Sequence, residues 1–184
     1  MSRVIMPVAD GFEEIEAVTV IDILRRAGLV CDLCSVTGSE FVTGSHSITI
    51  RADMCIGELS ECSVGAYEAV VLPGGMPGSD RLRDNEVVID IVKRFNEGGK
   101  IVAAICAAPK ILERAGILNN KKVTFYPDSI ENEKILNYTN ESIECDGNII
   151  TGKAPGVAAQ FAFELVKRLK NEETAGKVKG SMYY

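Results

Sequence analysis

The sequence predicts an α/β fold, a mostly parallel sheet with helices on both faces. Three observations carry that reading. Short apolar runs alternate with longer amphipathic stretches along the whole chain. Glycine or Pro-Gly closes most of these segments, as at Gly28, Pro73-Gly74-Gly75, Gly98-Gly99 and Gly116. The chain has 184 residues, 46% of them apolar, enough for one sizeable core, so a single domain over 1–184 is expected.

Taken in order, Arg3–Val8 is an apolar run and the first expected strand. Gly11–Ala27 carries a helical apolar stripe and ends at Gly28. Leu29–Val36 reads as a second strand, and Phe41–Val42 with Ser47–Arg51 flank Gly44-Ser45 as a β-hairpin. Ala66–Leu72 is a strand closed by Pro73-Gly74-Gly75, and Val87–Asn96 is a helix. Lys100–Ile105 is a strand that turns at Cys106 into a short helix, Lys110–Ala115. Lys122–Phe125 and Asn148–Thr151 read as extended, and Val157–Leu169 as a long amphipathic helix. In a parallel sheet of this kind ligands gather beyond the carboxyl ends of the strands. Three loops should meet there: Ala9-Asp10-Gly11, Pro73-Gly74-Gly75 and the corner at Cys106.

Composition removes several function classes. The net charge is −6, and the basic residues are dispersed, which argues against nucleic acid or an anionic membrane as partner. The apolar stretch Ala17–Leu24 is broken by Asp22 and followed by Arg25-Arg26, too short to span a bilayer. With the first strand starting at Arg3 no signal peptide is expected, and the expected location is cytoplasmic. That makes the six cysteines free thiols rather than disulfides. Cys31-Asp-Leu-Cys34 matches C-x-x-C but falls in a strand, where residues three apart point to opposite faces. No second C-x-x-C completes a zinc site, and no metal or cofactor is expected. Cys31, Cys34, Cys55, Cys62 and Cys145 read as structural.

Cys106 is different. Ala104-Ile-Cys106-Ala-Ala108 places a thiol between small residues at a strand-to-helix corner, the spacing of a nucleophile elbow. A helix N-terminus there would favour thiolate and lower the thiol pKa from about 8.5. The alternative is a small apolar plug. Glu16 is the second feature. It falls on the apolar arc of the first helix with Phe12, Val20, Ile23 and Ala27, whereas Glu13 and Glu14 suit the dipole of the first turn. It is either a side chain reaching for solvent or a buried acid with a raised pKa. Third, the glycines after Leu72 let backbone N–H groups approach a ligand and, with the Ala107 N–H, could form an oxyanion hole.

Two motifs mislead. Gly147-Asn-Ile-Ile-Thr-Gly-Lys153 nearly spells a P-loop, but its centre looks like a strand and Ala154 cannot ligate magnesium. A flavin phosphate site is disfavoured by Asp10, Glu13 and Glu14 in the first strand-to-helix loop. The single histidine, His46, lies in the hairpin and reads as a surface or interface residue.

The stretches "DGFEEIEAVTVIDILRRAG", "VVLPGGMPG", "IVAAICAAP" and "DGNIITGKAPGVAAQFAFELV" together resemble the ThiJ/PfpI family, which includes the parkinsonism-associated protein deglycase and lies in the class I glutamine amidotransferase-like superfamily. The resemblance runs nearly end to end and implies a flavodoxin-like three-layer sandwich with its nucleophile elbow at Cys106. It implies that Cys106 is the nucleophile, that Glu16 hydrogen-bonds it, and that Gly75 and Ala107 supply backbone donors. It also implies a homodimer through the first helix, which accounts for Ile15, Val18 and Ile21, with His46 approaching the pocket from the other subunit. Gly74 and Tyr126 join His46 as substrate-pocket candidates. Tyr126 stands where many members carry a histidine, and a tyrosine, with a typical pKa of about 10, is a poor general base. Peptidase activity is therefore not expected. The implied activity is glyoxalase or deglycase chemistry on small α-oxoaldehydes, and the alternative is redox sensing or chaperone-like holding read out at Cys106.

Overall fold

A computed structural model describes residues 2–130 and 137–184, apart from the side chains of Glu61 and Cys62. The chain begins with β1 (Arg3–Val8), α1 (Glu14–Arg26) and β2 (Val30–Ser35), then the hairpin β3 (Phe41–Thr43) and β4 (Thr49–Arg51). β5 (Met54–Cys55), α2 (Glu61–Gly65) and β6 (Ala69–Leu72) follow, with α3 (Gly78–Arg83), α4 (Glu86–Glu97) and β7 (Ile101–Ile105). After the elbow come α5 (Pro109–Arg114), β8 (Lys122–Val123), β9 (Asn137–Tyr138), β10 (Ile143–Asp146) and β11 (Ile149–Gly152). The helices α6 (Ala158–Leu169) and α7 (Glu172–Ser181) end it.

Seven strands form one sheet in the order β10-β11-β7-β6-β1-β2-β5. Every pairing is parallel except β10 with β11. Alternation along each strand feeds two cores. Val4, Met6 and Val8 of β1 pack on one face with Val20 and Ile23 of α1 and Phe161 and Leu165 of α6. Ile5 of β1, Val70 of β6 and Val102 of β7 face the other side, with Val88 and Phe95 of α4 and Ile111 of α5. Strands buried on both faces read as continuous apolar runs, which is why the alternation of segments was visible. The result is the flavodoxin-like three-layer arrangement that was expected.

Cys31 and Cys34 fall in the two different cores, so the C-x-x-C pair straddles the sheet. Cys31, Cys34, Cys55, Cys106 and Cys145 are all free, and the Cys62 side chain lies outside the described residues.

Six elements had no counterpart in the sequence reading: the short β5, α2 and β9, and three longer ones. α3 offers a single large apolar residue, Leu82, and so has no helical stripe. α7 contains two glycines and buries only Ala175 and Val178. β10 is a half-buried antiparallel edge with alternating acids. α1 also starts later than expected, at Glu14. Gly11 has φ +85° and gives its N–H to the Thr43 carbonyl at 2.7 Å, which keeps the loop out of the helix.

From β1 the chain runs to β2 on one side, and β6 is laid down on the other. The loops after β1 and β6 therefore diverge at a topological switch point, where such sheets open a crevice. The elbow after β7 stands one strand further on.

Candidate active site

Cys106 sits in the left-handed region at φ +63°, between the last residue of β7 and the turn into α5. A non-glycine residue there costs about 1–3 kcal/mol and persists only when its surroundings hold it. They do. Its N–H donates to the Gly152 carbonyl at the end of β11, and its carbonyl accepts the Tyr126 N–H, both at 2.9 Å. The side chain is thereby lifted off the sheet, yet the residue is only 8% exposed.

The neighbours must be small. A Cβ on Gly74 would stand 2.8 Å from Cys106 Cβ and from Glu16 Oε2, and 3.0 Å from the Ala107 nitrogen. Gly74 is what lets the β6 loop, α1 and the elbow close on one another.

Glu16 is the buried acid rather than a solvent-seeking one, with no exposed surface at all. Its Oε2 accepts the Gly74 N–H at 2.7 Å. Oε1 is buried without a hydrogen bond of ordinary geometry among the described residues. Burial pushes the carboxyl up to about 7, opposed by contact with the Cys106 thiol and the Gly74 N–H, with the Glu13 charge adding to the rise.

The thiol itself corrects the sequence reading. Helix α5 begins only at Pro109 and is six residues long, too short and too far along to dominate the sulfur. Burial raises the Cys106 pKa, and a charged Glu16 raises it further, while the Ala107 N–H pulls it down. Two anions cannot share this pocket, so a thiolate forms only when Glu16 keeps its proton.

Gly75 has φ +91°, and among the described residues no backbone hydrogen bond uses its N–H or that of Ala107. Gly74 contributes close approach instead, since Glu16 already takes its N–H. Tyr126 is beside the elbow through its backbone and is half exposed. His46 is elsewhere: its Nδ1 lies 2.9 Å from Glu14 Oε2, with the ring largely exposed on the hairpin turn. Within one chain, Cys106, Glu16, Gly74, Gly75, Ala107 and Tyr126 come together and His46 does not.

Two expectations about neighbours also change. Glu13 and Glu14 are not merely dipole acids, for both are buried under the hairpin. Glu14 is pulled down to about 2, its burial outweighed by hydrogen bonds from the His46 side chain and from backbone N–H groups. Sequence reading also passed over Met76 and Lys110. Met76 is half exposed on the rim beside Gly75, and its sulfur accepts from Ser79 Oγ at 3.2 Å and Lys110 Nζ at 3.5 Å. Lys110 is buried one turn past the elbow and pairs with Asp80 at 2.9 Å. A lysine on the inner side of so short a helix was the available signal.

Residues 2–168 match the DJ-1/PfpI family. The chain is 34% identical over 173 residues to Protein dj-1beta of Drosophila melanogaster, covering 92% of this chain and 90% of that one. It is 35% identical over 182 residues to Protein DJ-1 homolog B of Arabidopsis thaliana, covering 98% of this chain but only 41% of that longer protein. Among solved structures it is similar to oxidized Toxoplasma gondii DJ-1, with a TM-score of 0.91, 34% identity, and 100% and 99% of the two chains covered. A match across most of the chain, joined to the same fold, makes this protein a member of the DJ-1/PfpI family.

Proposed function

We propose that the chain is a Cys106-dependent enzyme acting on small reactive carbonyls, a glutathione-independent glyoxalase or deglycase-like activity on α-oxoaldehydes or their adducts. One observation carries this reading: a fully buried carboxyl with a pKa near 7 set against a thiol held on a left-handed elbow. With Glu16 protonated, the Cys106 thiolate adds to the aldehyde carbon, and the C=O electron pair moves to oxygen. The Gly75 and Ala107 N–H groups hold that alkoxide, and Tyr126 offers a hydroxyl to a second substrate oxygen. Glu16 gives its proton to that alkoxide. As a carboxylate it then takes the proton from the former aldehyde carbon and delivers it to the neighbouring one, while the hydroxyl proton passes to the ketone oxygen, which turns the hemithioacetal into a thioester. Water then releases the hydroxy acid and restores the thiol. Methylglyoxal plus water becomes lactate, with oxidation of one carbon balanced by reduction of the next and no cofactor required.

Conversion of methylglyoxal to lactate is the test. Cys106→Ser is expected to lower kcat/KM by at least about a hundredfold. Equal turnover by the variant would overturn the proposal.

A homodimer through α1 is proposed with it. Ile15 and Val18 on α1 are 57% and 48% exposed, and Ile48 on the hairpin turn that folds over the start of α1 is 55% exposed, large apolar side chains that a partner subunit would cover. Sedimentation at micromolar concentration is expected to give a dimer, and a monomer would count against it. The proposed location is the cytoplasm, and among the described residues no helix is long and apolar enough to cross a membrane.

The second reading, a stress-response sensor read out by oxidation of Cys106, has one observation in its favour. Cys106 keeps 8% exposure at the elbow, whereas Cys31 and Cys34 are 2% and 0% exposed, so an oxidant reaches it before either of them. If graded peroxide oxidises Cys106 first while methylglyoxal is untouched, this reading replaces the enzyme.

A further inference from the structure

A second convergence of donor atoms lies at the N-terminal end of α1, under the β3–β4 turn. Glu13, which caps α1, and Glu14, its first residue, are 7% and 5% exposed. The β3–β4 turn brings Ser45 and His46 onto them. His46 Nδ1 lies 2.9 Å from Glu14 Oε2 and 3.5 Å from Glu13 Oε2. Ser45 Oγ lies 3.3 Å from each of those oxygens and 3.1 Å from Nδ1. Four donors at the corners of a tetrahedron around an ion, with bonds of about 2.0–2.1 Å, stand about 3.3 Å apart. The measured separations bracket that spacing.

Two more features set the cluster apart from an ordinary acid pair. The other Glu14 oxygen, Oε1, accepts the His46 N–H at 2.7 Å and the Ile48 N–H at 3.4 Å. Those bonds fix the carboxylate plane and turn Oε2 toward the imidazole, as outer hydrogen bonds orient a metal ligand. The second feature is charge. Two nearly buried carboxylates face each other, and among the described residues the exposed imidazole is the one cationic side chain paired with either. Backbone and hydroxyl dipoles soften that cost without neutralising it. Gly44 leaves no room for another side chain to fill the space, since a Cβ there would stand 2.3 Å from Glu14 Cδ.

We propose that Glu13, Glu14 and His46 form a binding site for a divalent transition-metal ion of the zinc class, with the Ser45 hydroxyl or a water completing the shell. One imidazole nitrogen and two carboxylate oxygens, without a thiolate, form the borderline donor set that suits such ions. The ion takes the place of the Nδ1 proton, which leaves to solvent, and it enters from the exposed side of the imidazole. It joins α1 to the hairpin and takes no ligand from Cys106 or Glu16, so its existence does not rest on the carbonyl chemistry, although neutralising the Glu13 charge would ease the rise of the Glu16 carboxyl.

Titration calorimetry of the full chain with zinc chloride tests the site, with cobalt chloride followed by visible absorption as a second probe. About one ion per chain is expected, with N/O-type cobalt bands. His46→Gln removes a ligand while leaving an exposed turn residue in place, and should weaken binding by more than about tenfold. Cys106→Ser should leave affinity within about twofold, as expected for separate sites. No binding at millimolar metal would overturn the site. So would an affinity unmoved by His46→Gln, or one abolished by Cys106→Ser.

Discussion

Gly75→Ala is expected to be the most destabilising single-methyl change near the site, at about 3–5 kcal/mol, because it has no direction in which to relax. The added Cβ would stand 2.3 Å from the Glu13 nitrogen, 2.5 Å from the Phe12 carbonyl carbon and 2.6 Å from the Gly11 oxygen. All three are backbone atoms of the loop that launches α1, and the residue also needs φ +91°, which an L side chain resists. To fit the methyl, the β6 loop and the start of α1 must part. That breaks the 2.9 Å bond from the Glu13 N–H to the Gly74 carbonyl and draws Glu16 off Gly74. For a chain of this length the loss corresponds to a Tm lower by about 10 °C. Denaturant titration followed by far-UV circular dichroism measures it, and a change below about 1 kcal/mol would mean that the two loops are not locked together.

The same contact shows why some of the site was legible and some was not. Glycines after β6, small residues around Cys106 and a glutamate on an apolar arc are local patterns, each with a local physical cause. They mark Gly74, Gly75, Ala107 and Glu16 in the sequence, and Gly74, Ala107 and Glu16 stand within contact distance of one another in the fold. The framework was legible for a similar reason: strands buried on both faces cannot hide their apolar runs. What escaped depended on pairing at a distance. Glu14 reads as a first-turn acid until the hairpin folds over it and supplies four donors. The thiol's upward shift comes first from burial and then from Glu16, 90 residues away in the chain, and together they outweigh the helix end visible in the local sequence. α3 and α7 escaped because they bury too little apolar surface to leave a stripe.

Glu16→Gln is expected to remove a pH dependence of stability and most of the activity together. In the folded chain Glu16 titrates at about 7, against 4.5 for an unperturbed carboxyl. Between those values the native state keeps a proton that the unfolded state has released. Stability conferred by the protonated acid is thus fully present below about pH 4.5 and is lost as the pH rises through about 7. At about 1.4 kcal/mol per unit the loss amounts to about 3 kcal/mol. Glu14 works in a separate window. Its pKa is depressed to about 2, so its contribution is present above 4.5 and fades only as the pH falls toward 2. His46, whose pKa is raised by its bond to Glu14, contributes below its unfolded value near 6.5 and loses that contribution above it. Glutamine can still accept the Gly74 N–H but carries no titrating proton, so only the Glu16 window disappears. Thermal melts should show the variant gaining stability over the parent at pH 8 and matching it near pH 4.5. The rate of Cys106 alkylation, which in the parent should bend near pH 7 as Glu16 charges, should lose that bend. With the proton carrier gone, kcat/KM on methylglyoxal should fall by about 10²–10⁴-fold. A variant as pH-sensitive as its parent would place the titrating proton on some other group, and with it the acid that any chemistry at Cys106 needs.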